Sequence, residues 1–170
     1  MKRNVNSPKT SSAGRLLDAV SALLGVCGEI NYSAQAAIEL EMLASGCGTE
    51  CEIYHVIIQE CDGVKIIRLG EMVASILSDI HDKVPTPEIA LKFHKTVAEM
   101  IVQLCRLITA DTGIDRIVLS GGVFQNRLLQ KLTLARLKKE DYNVFIHHLV
   151  PCNDGGIALG QAVIANFMVG

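Results

Sequence analysis

Tryptophan is absent from this sequence and the other aromatics are scarce, at 4% of residues, so whatever core the chain buries is built from Leu, Ile, Val, Ala and Met. Such a composition favours helix-rich layers. Charge of one sign is lacking too: 16 basic against 18 acidic residues leave a net charge of −2, and the short run Arg136, Lys138, Lys139 falls on an expected helix. No basic surface for nucleic acid is built from that. There is no C-x-x-C among the six cysteines at 27, 47, 51, 61, 105 and 152. Several sit in apolar helical stretches where a thiol packs as a small hydrophobe, which reads as reduced, cytosolic usage. Cys47, Cys51 and Cys61 as three zinc ligands is the alternative, with the fourth ligand unassigned. Long apolar runs are missing as well. Ala19–Cys27 follows Lys2 and Arg3 in the manner of a signal segment, but Arg15 and Asp18 interrupt it upstream. Ile157–Gly170 carries Gln161 and Asn166 and is too short to span a bilayer. The expectation is a cytoplasmic protein without membrane or nucleic-acid partners.

What is present is one domain's worth of chain, long enough to bury roughly two-thirds of the surface its unfolded form exposes. Residues 1–10 are polar and aperiodic and are expected to form a flexible N-terminal segment, leaving 11–170 as a single lobe. From Gly14 to Val26, Leu16, Leu17, Val20, Leu23 and Leu24 recur at helical spacing behind a serine able to cap them, with Asp18 pointing away from the stripe. A second helix is expected over Ser33–Ala44. Ile53–Gln59 and Val64–Arg68, separated by Asp62-Gly63, read as a hairpin. Glu71–Ile80 is helical, and Pro85 and Pro87 precede a long amphipathic helix over Glu88–Ala110. The last third changes pattern: a strand at Arg116–Leu119, a helix at Phe124–Lys138, a strand at Asn143–Ile146 and a helix at Gly155–Met168. Strands alternating with helices imply parallel pairing.

Two glycine turns concentrate the chemistry. In Leu119-Ser120-Gly121-Gly122-Val123-Phe124-Gln125-Asn126, two glycines lie between a buried strand and a helix start. Glycine lets backbone approach an anion, and N–H groups at a helix start supply donors. The glycines alone also suit a plain strand-to-helix turn, since there is no Walker lysine and no G-x-G-x-x-G. Asn126, on the first turn of that helix, has an amide for a base edge or for neighbouring backbone. The second turn is Pro151-Cys152-Asn153-Asp154-Gly155-Gly156. Asp154 suits an N-cap, yet two glycines in a first helical turn cost about 1 kcal/mol each relative to alanine, a poor choice if capping were the only task. A carboxylate beside exposed backbone also suits a metal ion shared with a phosphate or carbonyl.

Five strings in register carry a resemblance over nearly the whole chain: S-S-A-G-R-L-L-D-A-V at Ser11–Val20, Q-A-A-I-E-L-E at Gln35–Glu41, F-H-K-T-V-A-E-M at Phe93–Met100, L-S-G-G-V-F-Q-N at Leu119–Asn126 and N-D-G-G-I-A-L-G-Q-A at Asn153–Ala162. In order and spacing they resemble the second half of the C-terminal carbamoyl-transfer domain of the hydrogenase-maturation carbamoyltransferases, the HypF family. That resemblance implies an α/β, actin-like ATPase lobe (ASKHA, ribonuclease H-like), helix-rich with a small mixed sheet. It also implies that carbamoyl-adenylate, made from carbamoyl phosphate and ATP, passes its carbamoyl group to the C-terminal cysteine of a HypE partner. By the same likeness Asp18 and Glu39 hold the nucleotide ribose near the Gln35 backbone, Gly121 and Gly122 face the phosphates, Asn126 approaches the adenine, and Asp154 is a metal ligand. The cofactors implied are an adenine nucleotide, as carbamoyl-adenylate or ADP, and a divalent metal (Fe, Zn or Mg) shared with a first lobe.

Two departures qualify the likeness. Tyr32-Ser33-Ala34 replaces the family's Tyr-Glu-Gly or Tyr-Glu-Ala. The family's H-x-x-x-H metal pair belongs to the preceding lobe, and none of His55, His81, His94, His147 or His148 has a partner four residues away. His94 contacts substrate or is a buried, hydrogen-bonded histidine. No nucleophile stands out beyond Cys152, where a packed thiol is the plainer reading. The rivals are a non-catalytic nucleotide-binding module, open to self-association or to docking on a first lobe, and a tRNA threonylcarbamoyl transferase-like enzyme.

Overall fold

The computed structural model describes residues 10–48 and 50–169, so the expected N-terminal segment 1–10, apart from Thr10, lies outside the described residues. In chain order the elements are α1 (Ala13–Leu23), α2 (Gln35–Ser45), β1 (Ile57–Cys61), β2 (Val64–Arg68), α3 (Gly70–His81), α4 (Thr86–Thr112), β3 (Arg116–Leu119), α5 (Arg127–Lys139), β4 (Asn143–Ile146) and α6 (Ile157–Val169). The strands form two separate pairs rather than one sheet: β1 and β2 antiparallel, β3 and β4 parallel.

The 27-residue α4 organises the molecule. Pro85 and Pro87 fit its start, where a missing N–H costs nothing, and Gly113 ends it in a left-handed conformation at φ 72°. Its N-terminal half presents Ile89, Phe93, Val97 and Met100 to a core shared with Leu17 of α1, Leu40 of α2, Met72 and Ile76 of α3 and Leu129 of α5. Its C-terminal half turns Val102 and Cys105 to a second cluster with Leu119 and Leu137, beneath the parallel pair. A buried carboxylate ties α4 to α5: Glu99, with its side chain 9% exposed, is paired with Arg106 and Arg136. Arg106 also grips Glu140 and, chiefly by hydrogen bonding, holds that carboxyl below the ordinary range.

The hairpin forms around Asp62 (φ 52°) and Gly63 (φ 75°), the two positive values a tight β-turn demands. That turn sets the register at Cys61 opposite Val64, so β1 runs from Ile57 rather than from the expected Ile53. The residues before it dock on α4 instead of pairing. Tyr54 is buried, its N–H donating to Thr96 Oγ1 at 2.9 Å and its hydroxyl to Asp79 at 2.7 Å.

Cys47 and Cys51 pack against the main core and Cys61 is exposed. Among the described residues no group of three or more His, Cys, Asp and Glu side chains is placed to hold a metal, and no helix is long and apolar enough to cross a membrane.

Candidate functional site: a cleft between two glycine turns

Parallel pairing of β3 and β4, with Leu119 opposite Ile146, brings the two glycine turns side by side at the carboxyl ends of their strands. Ligands of α/β folds sit at such ends. The turns are bonded to each other: Gly121, at φ 102°, donates its N–H to the carbonyl of Cys152 at 2.7 Å. A second link joins His147 Nε2 and Ser120 Oγ at 2.9 Å. Between these turns, α1 and α2 lies a cleft of about 700 Å³, within the size range of small-ligand sites. A second hollow of about 510 Å³, lined in part by Lys95, Leu132 and Arg136, contains none of the sequence-predicted site residues.

Of those residues, Asp18, Gly122, Asn126 and Asp154 line the cleft together. Gln35, Glu39, Gly121 and His94 do not. Gly121 spends its N–H on Cys152, so Gly122 is the glycine of that turn that borders the cleft. Glu39 accepts from Gln35 Nε2 at 2.7 Å, while Gln35 Oε1 accepts from the Asn31 N–H at 2.8 Å. Glu39 thereby serves the loop before α2. Two residues on, Glu41 does line the cleft and accepts the Leu128 N–H at the start of α5 at 3.1 Å. Sequence reasoning missed it, although residues two apart on a helix point to different sides and both stand in Gln35–Glu41. Ala34 also lines the cleft, in a left-handed conformation at φ 64° that costs a non-glycine residue about 1–2 kcal/mol. The Tyr32-Ser33-Ala34 departure thus sits on the cleft wall.

The structure moves Asn126 from the first turn of its helix to the cap. A short 3₁₀ turn occupies Gly122–Gln125, and Asn126 Oδ1 accepts the Leu129 N–H at 2.8 Å to start α5. Its Nδ2 donates to His94 Nε2 at 3.0 Å, and His94 Nδ1 donates to the Ala90 carbonyl at 2.8 Å. With both ring nitrogens engaged and 1% exposure, His94 is a buried support for Asn126 and does not itself line the cleft. Burial holds the imidazole below its ordinary value of 6.5, against opposing pulls from the Ala90 carbonyl and Glu41. A proton on Nε2 would set two donors face to face.

The sign of the resulting pH effect follows from proton binding. As pH falls below about 6.5 the unfolded chain takes up a proton at His94 that the native state refuses, so stability drops, by at most ~1.4 kcal/mol per pH unit for one group. Urea unfolding between pH 5 and 8 is expected to show this loss in the parent and to lack it in His94→Gln; equal slopes would contradict the assignment.

The second turn resolves why glycines occupy it. A Cβ on Gly156 would lie 2.7 Å from the Pro151 carbonyl oxygen, and one on Gly155 would lie 3.0 Å from Pro151 Cγ. The turn's own backbone demands Gly156, whatever binds there. Asn153, not Asp154, provides the cap, its Oδ1 accepting the Gly155 N–H at 3.1 Å. Asp154 is exposed on the cleft wall, and no side-chain hydrogen bond or ion pair among the described residues engages it.

Comparison with known proteins bears on what this cleft belongs to. The family model described as carbamoyltransferase, Kae1-like domain, second subdomain, matches residues 1–161. The chain belongs to the HypF carbamoyltransferase family. It is 31% identical over 163 residues to the probable carbamoyltransferase HypF of Methanocaldococcus jannaschii, covering 96% of this chain and 21% of that protein. A crystal structure of full-length HypF in the phosphate- and nucleotide-bound form superposes with a TM-score of 0.91 at 40% identity, covering 99% of this chain and 22% of that one. The fold is accordingly an α/β, helix-rich lobe of the Kae1-like, ASKHA type. A tRNA N6-adenosine threonylcarbamoyltransferase of Prochlorococcus marinus is 32% identical over 83 residues, only 49% of this chain and 23% of that protein. The chain spans about a fifth of the length of these two HypF relatives.

Proposed function

We propose that this chain supplies the nucleotide-binding half of a carbamoyl-transfer site. The observation that carries the reading is the convergence of Asp18, Gly122, Asn126 and Asp154 on one cleft at the ends of two parallel strands. In this reading the bound species is carbamoyl-adenylate, and the acceptor is the C-terminal cysteine of a HypE-like protein. The cysteine thiolate attacks the carbamoyl carbon, a C–S bond forms, the carbon–oxygen bond to the phosphate breaks, and AMP leaves with the electron pair. The thiocarbamate so formed is the precursor of a cyanide ligand of the nickel-iron centre.

Each residue's part follows from its place. Asp18 on α1 is a carboxylate acceptor for ribose hydroxyls, and Gly122 lets backbone approach the phosphate without a side chain between. Asn126 forms the buried floor beneath the base, its amide spent on α5 and His94. Asp154 fits a divalent cation as one donor of an incomplete set, since the described residues offer no cluster of three; the remaining donors belong to the other lobe. Such a cation, when bound, polarises the carbamoyl carbonyl and neutralises phosphate charge. The HypF assignment is favoured over the tRNA-modifying one because the likeness to HypF runs along 96% of the chain, against 49%.

Calorimetric titration with ADP, with and without Mg²⁺, tests the reading. Saturable binding is expected, and Asp18→Asn should weaken it about 10- to 150-fold, the worth of hydrogen bonds to a charged group, without lowering the melting temperature. Asp154→Asn should keep ADP binding but lose its response to Mg²⁺. An Asp18→Asn protein that binds ADP as tightly as the parent would remove the ribose role.

A further inference from the structure

α5 carries five basic side chains and no acidic one, in a chain whose net charge is −2. Arg136, Lys138 and Lys139 occupy its last turn, where cations stabilise the carbonyl end of a helix. Arg127 and Lys131 have no such use. Arg127 is the first helical residue, where a positive charge opposes the dipole, and Lys131 stands one turn on. By helical spacing Arg127, Lys131 and Lys138 share one stripe. All three are exposed, as is Lys139, and no ion pair among the described residues engages any of the four. Beside the stripe lies the hollow of about 510 Å³, where Ile53, Ala98 and Leu132 are flanked by Lys95 and Arg136. Arg136 gives Glu99 one nitrogen and keeps its side chain 49% exposed, so further guanidinium donors are free. Lys95 Nζ meets only the Cys51 carbonyl, at 3.3 Å. Leu132 and Arg136 are one turn apart, and the exposed Lys131 and Ala135 adjoin them, which makes hollow and stripe one continuous surface.

We propose that this surface docks an acidic protein segment, which sets one large apolar side chain between Ile53 and Leu132 and carboxylates against Lys95, Arg136 and the Lys131 stripe. An apolar pocket ringed by complementary charge is how protein interfaces concentrate their binding energy. Glu52, the one acid among the lining residues, penalises a carboxylate inside the hollow, so the anchor is apolar and the acids lie around it. Nucleic acid fits less well, since no aromatic side chain on α5 or in the hollow is there to stack a base. A small anion fits less well too, because the cations are strung along a helix about 20 Å long instead of converging on one point. No residue lines both the hollow and the cleft, so the inference stands independently of the nucleotide reading.

Fluorescence anisotropy with a labelled peptide of glutamates flanking a single leucine tests it, without nucleotide. Saturable binding is expected, and raising salt from about 0.1 M to about 1 M, which cuts the screening length from ~10 to ~3 Å, should weaken it. Lys131→Glu with Lys138→Glu should weaken it about 10-fold and leave the melting temperature in place, both side chains being exposed. Serine in place of the peptide's leucine should cost at least ~10-fold, the worth of a buried leucine side chain. In methyl NMR spectra of the parent, the Ile53 and Leu132 signals should move as peptide is added. No saturation by about 1 mM peptide, a Kd in the weakest useful range, would overturn the proposal. So would equal affinity for the leucine and serine peptides, which would reduce the contact to charge attraction. An oligothymidylate bound as tightly as the peptide would overturn it as well, making the surface one for nucleic acid.

Discussion

Gly156→Ala is expected to weaken nucleotide binding while leaving the helical core folded. The added Cβ would lie 2.7 Å from the Pro151 carbonyl oxygen, a backbone atom that cannot swing aside like the end of a long side chain. The turn must therefore open, and opening strains the Gly156 N–H bond to the Asn153 carbonyl, 2.9 Å long, together with the placement of Asp154 between them. Local strain of this kind costs about 1–3 kcal/mol, which is roughly 5- to 150-fold in affinity if the original geometry is needed for the ligand. The body has little reason to respond, because the turn contributes no residue to either buried cluster. Titration with ADP and thermal melting on the same sample separate the two effects. An unchanged dissociation constant would mean that the second turn takes no part in the site.

Phe93→Ala is the opposite case, a large stability loss with no direct effect on ligand contacts. Phe93 is fully buried in the N-terminal half of α4 and meets the His94 ring edge-on, centroids 5.7 Å apart. Truncating a buried phenylalanine costs about 3–5 kcal/mol, a large share of the roughly 5–15 kcal/mol that holds a typical domain. At about 2–4 °C per kcal/mol for a chain of this size, the melting temperature should fall by roughly 6–20 °C. Phe93→Leu, which keeps most of the volume, should lose less than about 1.5 kcal/mol. Denaturant melts of the three proteins measure the ordering; equal stability of the alanine and leucine variants would place Phe93 outside the core.

Elements whose apolar spacing answers to one packing partner were legible in the chain. α4 is the clearest, since Ile89, Phe93, Val97 and Met100 are buried as their helical spacing requires. The parallel pairing of β3 with β4 followed from strand-helix alternation, and with it the meeting of the two turns. What could not be read depended on contacts from elsewhere. Ile53–Val56 has β-branched composition, but Tyr54 finds Thr96 on α4, and the hairpin register excludes the segment from β1. Glu39 and Glu41 are alike in sequence terms; only the packing of α2 against α4 and α5 decides which one reaches the cleft. Glycine carried two meanings that composition does not separate: Gly156 is required by a neighbouring carbonyl, Gly122 merely leaves space. His94 shows the same limit, because its fate was set by a partner 32 residues away.

The strap from the Gly121 amide to the Cys152 carbonyl makes the two turns one mechanical unit. In the proposed reading, a phosphate that steadies the first turn would through this bond also steady the second. By thermodynamic reciprocity, whatever is held at the second returns the same favour to the first. Anion and cation would then load cooperatively, each raising the affinity for the other even where they share no atom.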